Sequence, residues 1–171
     1  SRLGSAGRRA VERGDAPAGI RLLTRAVSLA PTPGVSASLR LPLCQAMNDV
    51  ADPTRFDAQV SAAIAEATEA GDERLRLRFE HLRIASALLY EPTATPPERV
   101  ADDLRSMAEA LEILGDDEGV AECHYQLASV AWFLGDAARF EEAARRALEH
   151  AIASGNARSI ARAADYVISA T

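Results

Sequence analysis

Lysine is missing altogether: all 19 basic residues of the 171-residue chain are arginine, which reads as the codon bias of a GC-rich bacterial source. Aromatic residues contribute only 5% against 48% apolar residues, and alanine far outnumbers the large side chains. That composition argues against a sheet and for helices packed at short range. No apolar run approaches the roughly 18 residues of a bilayer-spanning helix, so no membrane partner is expected. Cysteine is scarce as well, and Cys44 and Cys123 sit at no disulfide-framework or metal spacing. Reduced thiols in a cytoplasmic protein are therefore expected. A signal-peptide pattern and an initiator Met are both lacking, and the opening Ser-Arg-Leu-Gly already reads as helix. The chain is thus expected to be a piece of a larger protein, forming a single helical-repeat domain over residues 1–171. The net charge is -6, although residues 1–40 carry seven Arg against Glu12 and Asp15. The acidic excess downstream disfavours direct nucleic-acid binding by the bulk of the chain.

What the chain does have is punctuation. Gly-Asp recurs at Gly14-Asp15, Gly71-Asp72, Gly115-Asp116 and Gly135-Asp136, then returns as Gly155-Asn156. Glycine ends a helix cheaply in the left-handed region, and the adjacent Asp or Asn caps the next helix, so one helix stops and another begins at once. Turn marks at positions 51, 71, 115, 135 and 155 leave gaps of 20, 44, 20 and 20 residues, a period of about 40. A shift of 84 residues aligns Ala51-Asp52 with Gly135-Asp136, Phe56 with Phe140, Ala63 with Ala147, Ile64 with Leu148, Ala67 with Ala151 and Gly71 with Gly155. An internal repeat of this size points to a solenoid, in which each hairpin buries its apolar face against its neighbours.

Helical periodicity supports that reading, with Phe140, Ala143, Ala144, Ala147, Leu148, Ala151 and Ile152 forming one stripe and Val100, Leu104, Met107, Leu111 and Leu114 another. Nine helices are expected near 2–13, 16–30, 35–50, 53–70, 72–90, 97–114, 117–134, 136–154 and 157–170. The last has no hairpin partner, so it either docks on the eighth helix or frays. Pro42 should kink the third helix or make it restart. The segment Glu91-Pro92-Thr93-Ala94-Thr95-Pro96-Pro97 reads as a stiff connection, with Pro97 in the first turn of the sixth helix.

The first hairpin resembles a tetratricopeptide repeat through Leu3, Ala6, Gly7, Ala10, Gly14, Leu23, Ala26 and Pro31. The fourth repeats the pattern with Leu127, Ala128, Ala131, Gly135 and Ala147. Ala26 and Ala147 should mark close helix approaches, so enlarging either should cost roughly 1 to 3 kcal/mol. The period here exceeds the roughly 34 residues of the common repeat. The chain also looks like the helical region of large multidomain bacterial signalling proteins: LuxR-type transcription regulators and class III nucleotide cyclases with ATPase modules. The segments that carry this resemblance are Arg8-Arg9-Ala10, Arg13-Gly14-Asp15, Leu39-Arg40-Leu41-Pro42-Leu43, Gly71-Asp72-Glu73-Arg74-Leu75-Arg76 and Ala147-Leu148-Glu149-His150-Ala151. It implies an all-α, tetratricopeptide-like right-handed α-α superhelix of about four hairpins plus a C-terminal helix.

Reactive constellations do not emerge. Cys123-His124 is the one adjacent Cys-His pair, and neighbours on a helix point about 100° apart, so no metal or catalytic site is expected. The cysteines read as small packing residues, and His81 and His150 as partly solvated helix residues. Asp116-Asp117-Glu118 and Asp72-Glu73 open helices, where negative charge offsets the helix dipole. Glu141 with Arg145, and Glu142 with Arg146, read as a solvated face. The ladder Arg74, Arg76, Arg78 and Arg83 is paired only in part by Glu73 and Glu80, which leaves an anion or acidic-peptide site open there.

The expected function is therefore non-catalytic, with no cofactor and no metal: a protein–protein interaction or regulatory scaffold segment. Its partner would be a protein or peptide, including other domains of the same polypeptide. In a stacked-hairpin solenoid the concave wall holds ligands, and the matching exposed positions are Gln45, Asn48, Arg78, His81, Tyr125, Ser129 and Trp132. Trp132 either anchors a ligand or wedges between hairpins. The rival reading is a small-molecule inducer sensor within a transcriptional regulator, which would need an enclosed pocket.

Overall fold

The computed structural model describes residues 2–50, 53–91 and 94–169. Among them are nine α-helices and no strand: α1 (Arg2–Glu12), α2 (Ala16–Ser28), α3 (Pro33–Asp49), α4 (Pro53–Glu69), α5 (Glu73–Tyr90), α6 (Pro97–Ile113), α7 (Asp117–Phe133), α8 (Ala137–Ser154) and α9 (Ala157–Ser169). Within each unit, short turns set successive helices antiparallel. Four of those turns are built alike. Gly14, Gly71, Gly115 and Gly135 have φ between +66° and +83°. The following Asp amide closes the helix on the carbonyl five residues back, at 2.9 to 3.0 Å. Its side chain meanwhile accepts the amide three residues ahead, at 3.0 Å from Ala18, Leu75, Gly119 and Arg139. Gly-Asp is thus a combined stop and start, with both orphan sets of backbone groups satisfied. The turn expected at Ala51-Asp52 and residues Pro92-Thr93 of the proline connection lie outside the described residues. Pro97 opens α6 as expected.

The chain divides into two compact units, residues 1–86 and 87–171. In the first, α2, α3 and α4 bury Leu23, Leu43, Met47, Val60 and Ala63, and α5 adds Phe79. The α1–α2 crossing is set by glycines in place of larger residues. A Cβ on Gly7 would lie 2.7 Å from Leu23 Cγ, and one on Gly19 would lie 2.4 Å from Val11 Cγ2. Arg40 ties α3 to α4 through Glu66, at 3.1 and 2.9 Å, and through Gln59 Oε1. Burial raises the Glu66 pKa, but hydrogen bonds from Arg40 and Ser36 and the Arg40 charge outweigh it and hold the carboxyl below its ordinary range.

In the second unit α7 packs against α6 and α8, and α9 docks on both α8 and α7. That decides the fate of the unpaired helix. Small residues make the seam: Ala128, Ala131 and Ala144 in one cluster, and Ala121, Ala147, Ala151 and Ala163 in another. The 84-residue register extends to whole helices. α3 shifted by 84 falls on residues 117–133, the bounds of α7, and Phe56, Ala63, Ala67 and their counterparts Phe140, Ala147 and Ala151 are all buried. Of the two outcomes expected at Pro42, a kink or a restart, the restart does not occur, because α3 is continuous through it. The pyrrolidine removes one amide that would have met the Ser38 carbonyl, yet Leu43, Cys44, Ala46 and Met47 are all buried just beyond it and hold the helix in place.

Candidate functional site

Helix α7 presents two opposed stripes. His124, Leu127, Ala131 and Leu134 follow a 3-4-3 spacing, while Glu122, Tyr125 and Ser129 follow a 3-4 spacing about half a turn away. The first stripe floors an open cleft of about 370 Å³ between α6 and α8. Ala101 and Arg105 form its α6 wall, and Ala138, Arg139, Glu142 and Arg146 its α8 wall. Each arginine at the rim meets a carboxylate: Arg105 meets Asp102 at 2.5 Å, Arg139 meets Asp136 at 3.3 Å and Arg146 meets Glu142, which Arg145 shares, at 3.4 Å. Charge is balanced and the floor is apolar. Trp132, Phe133 and Leu134 are exposed at the end of α7, and of the three Leu134 lines the cleft. His124 lies at the inner end of the cleft and stacks on His150 at 6.2 Å, and His150 Nδ1 is 2.8 Å from Asp117. Burial, reinforced by Arg146 and His150, pulls the His124 pKa down to about 4, so the ring is neutral at pH 7.

The second stripe is covered by α9. Arg162 Nη1 reaches both carboxylate oxygens of Glu122, at 3.1 and 2.9 Å, and its guanidinium lies 4.1 Å above the Tyr125 ring. Tyr166 stacks on Tyr125 at 4.4 Å and shares a 3.1 Å hydrogen bond with Ser129. Burial first, and then the Tyr166 hydroxyl, push the Tyr125 phenol above its ordinary range.

The seven groove positions expected from the sequence therefore meet different fates. Tyr125 and Ser129 are brought together, but beneath α9 and half-buried rather than on an open wall. Gln45 and Asn48 are half-buried on α3. Arg78 and His81 are 6% and 4% exposed, which corrects the expectation that they are solvent-facing. The reason is that Leu77, Arg78 and Phe79 are buried in succession, so α5 is enclosed around more than half its circumference. Trp132 is 63% exposed and tilts against Phe140 at 5.4 Å instead of wedging into a core. Of the arginine ladder, Arg76 is taken up by Glu73 and Glu80, both at 2.5 Å. Burial pushes the Cys44 thiol up to about 12, which suits a packing residue.

Sequence reasoning missed Arg105, Leu127, Arg139, Glu142 and Arg146 as cleft residues, and Glu122, Arg162 and Tyr166 as the α9 clasp. The 3-4-3 stripe on α7 was readable, but which stripe stayed open depended on where α9 came to rest. Among the described residues, helices joined by short turns and one charge-balanced, apolar-floored cleft define an all-α helical-hairpin protein. Comparison with protein-family models, with curated proteins and with solved structures returned no match.

Proposed function

We propose that this chain is a tetratricopeptide-like, right-handed helical-repeat segment of a larger bacterial signalling or transcription-regulatory protein. It works without catalysis, in the cytoplasm, by docking a protein or peptide segment, including segments of its own polypeptide. The observation that carries this reading is the α6–α8 cleft, open and floored by Leu127, Ala131 and Leu134. An open apolar trough suits large side chains of a partner helix or strand. The docking face is moved from the Tyr125 side of α7, which α9 covers, to its Leu127 side. Titrating flanking segments of the parent polypeptide against wild type and an Ala138→Glu, Leu134→Glu variant tests it. Both positions are exposed, so the variant should fold and lose about tenfold or more in affinity. Equal affinities would refute the assignment.

A small-molecule sensor is the second reading. The volume of about 370 Å³ and the largely apolar lining favour it, since ligand pockets begin at roughly 300 Å³. A thermal-shift screen of apolar metabolites that stabilises wild type and not Ala138→Trp would favour the sensor over the docking module.

A further inference from the structure

The 84-residue register relates not only helices but surface clefts. In the first unit a cleft of about 600 Å³ is lined from α2 by Pro17, Ile20, Arg21 and Arg25, with Val50 and Arg55 across from them. Pro17, Arg21, Val50 and Arg55 stand 84 residues before Ala101, Arg105, Leu134 and Arg139 of the α6–α8 cleft. The position is duplicated, but the charge is not. Where the second unit has Asp102, Glu109 and Glu142, the first has Ala18, Arg25 and Ala58. Arg105 is neutralised by Asp102 one turn away, whereas the counterpart of that aspartate beside Arg21 is an alanine. Among the described residues no carboxylate lines this cleft, and Arg21 and Arg25 enter no ion pair. Two like charges at the i, i+4 spacing repel each other on a helix face, and an arriving anion relieves that repulsion.

We propose that the α2–α4 cleft binds a peptide segment with two carboxylates two residues apart, Glu-x-Glu or Asp-x-Glu, in extended form. Side chains two apart on a strand are separated by about 7 Å, close to the 5 to 6 Å between positions one helical turn apart, so each carboxylate meets one guanidinium fork. Thr24 adds a hydroxyl to the same lining, and Pro17, Ile20 and Val50 supply apolar contact for a flanking residue. A lone phosphate would use one fork and none of the apolar wall. Nucleic acid is disfavoured by the acidic bulk of the chain, fifteen carboxylates against seven arginines in residues 87–171. This site shares no residue with the α6–α8 cleft, so either assignment can fail without the other.

The test is fluorescence anisotropy of the full chain with a labelled Ala-Leu-Glu-Val-Glu-Leu-Ala peptide. Saturable, salt-sensitive binding is expected, weakened about tenfold or more in Arg21→Ala, Arg25→Ala and several-fold in Ala18→Asp, which imports the missing carboxylate. Arg105→Ala should leave it unchanged. The arginines are exposed and Ala18 is half-buried, so unaltered helicity by circular dichroism is the check on folding. Equal binding of the Gln-x-Gln analogue, wild-type affinity in the double variant, no saturation by about 1 mM, or displacement by equimolar inorganic phosphate would each overturn the proposal.

Discussion

His124 shows how one residue's setting converts into a measurable property of the chain. Its pKa of about 4 in the folded state lies below the ordinary 6.5, so between those values the unfolded chain binds the extra proton. Stability is therefore complete above pH 6.5 and falls as pH drops toward 4. Solvent reaching part of the ring limits the loss to no more than about 2 kcal/mol. Urea unfolding at pH 7 and pH 4.5 should show this loss in wild type and a smaller one in His124→Gln. The variant serves as the control because Glu66, with its lowered pKa, also gives up stability in acid once its carboxylate is protonated. Identical pH slopes for the two proteins would mean that His124 is not held neutral.

Among the elements, α9 is the one whose fate the periodicity left open. Thirteen residues are too few for a stable helix in water. Its docking rests on Ala163 in the alanine seam and on the Arg162 clasp of Glu122 and Tyr125. Burial works against the Arg162 charge, but Glu122 and Tyr125 outweigh it and raise the guanidinium pKa above its ordinary value. Arg162→Ala would leave Glu122 largely buried without this guanidinium, at a cost of about 2 kcal/mol. Hydrogen exchange in α9 should then speed up roughly 10- to 50-fold while α6 amides change little. Arg162→Lys, which keeps the charge but not the paired geometry, should fall between them. Uniform acceleration across the second unit would show instead that α9 does not open separately.

At the scale of the molecule the 84-residue repeat is the organising fact, and it makes a paired prediction. Ala63 is fully buried and Ala147 is 1% exposed, and they hold equivalent places in the two units. Ala63→Leu and Ala147→Leu should each destabilise by about 1 to 3 kcal/mol through overpacking, because close-packed seams cannot admit three extra carbons without shifting an axis. Thermal unfolding followed by circular dichroism would check it, and a neutral result at one site alone would break the equivalence. The same duplication with divergent charge separates the neutral α6–α8 cleft from the cationic α2–α4 cleft.

Helix bounds and turns were legible in the chain itself, because their causes are local: a left-handed glycine, an aspartate within reach of the next helix's amides, a 3.6-residue stripe. The bounds expected for α7, 117–134, differ from those observed by one residue. The groove was not legible, because a stripe on a helix says that something covers or lines it without saying which. Tyr125 and Leu127 are half a turn apart on α7, and only Tyr125 read as a groove residue, Leu127 as part of the repeat pattern. Only tertiary packing put α9 over Tyr125 and left Leu127 at the floor of a cleft, since that choice depends on residues about 35 to 40 positions away whose burial no local pattern encodes. Arg78 and His81 follow the same rule: polarity marked them for solvent, and enclosure of α5 overrode it.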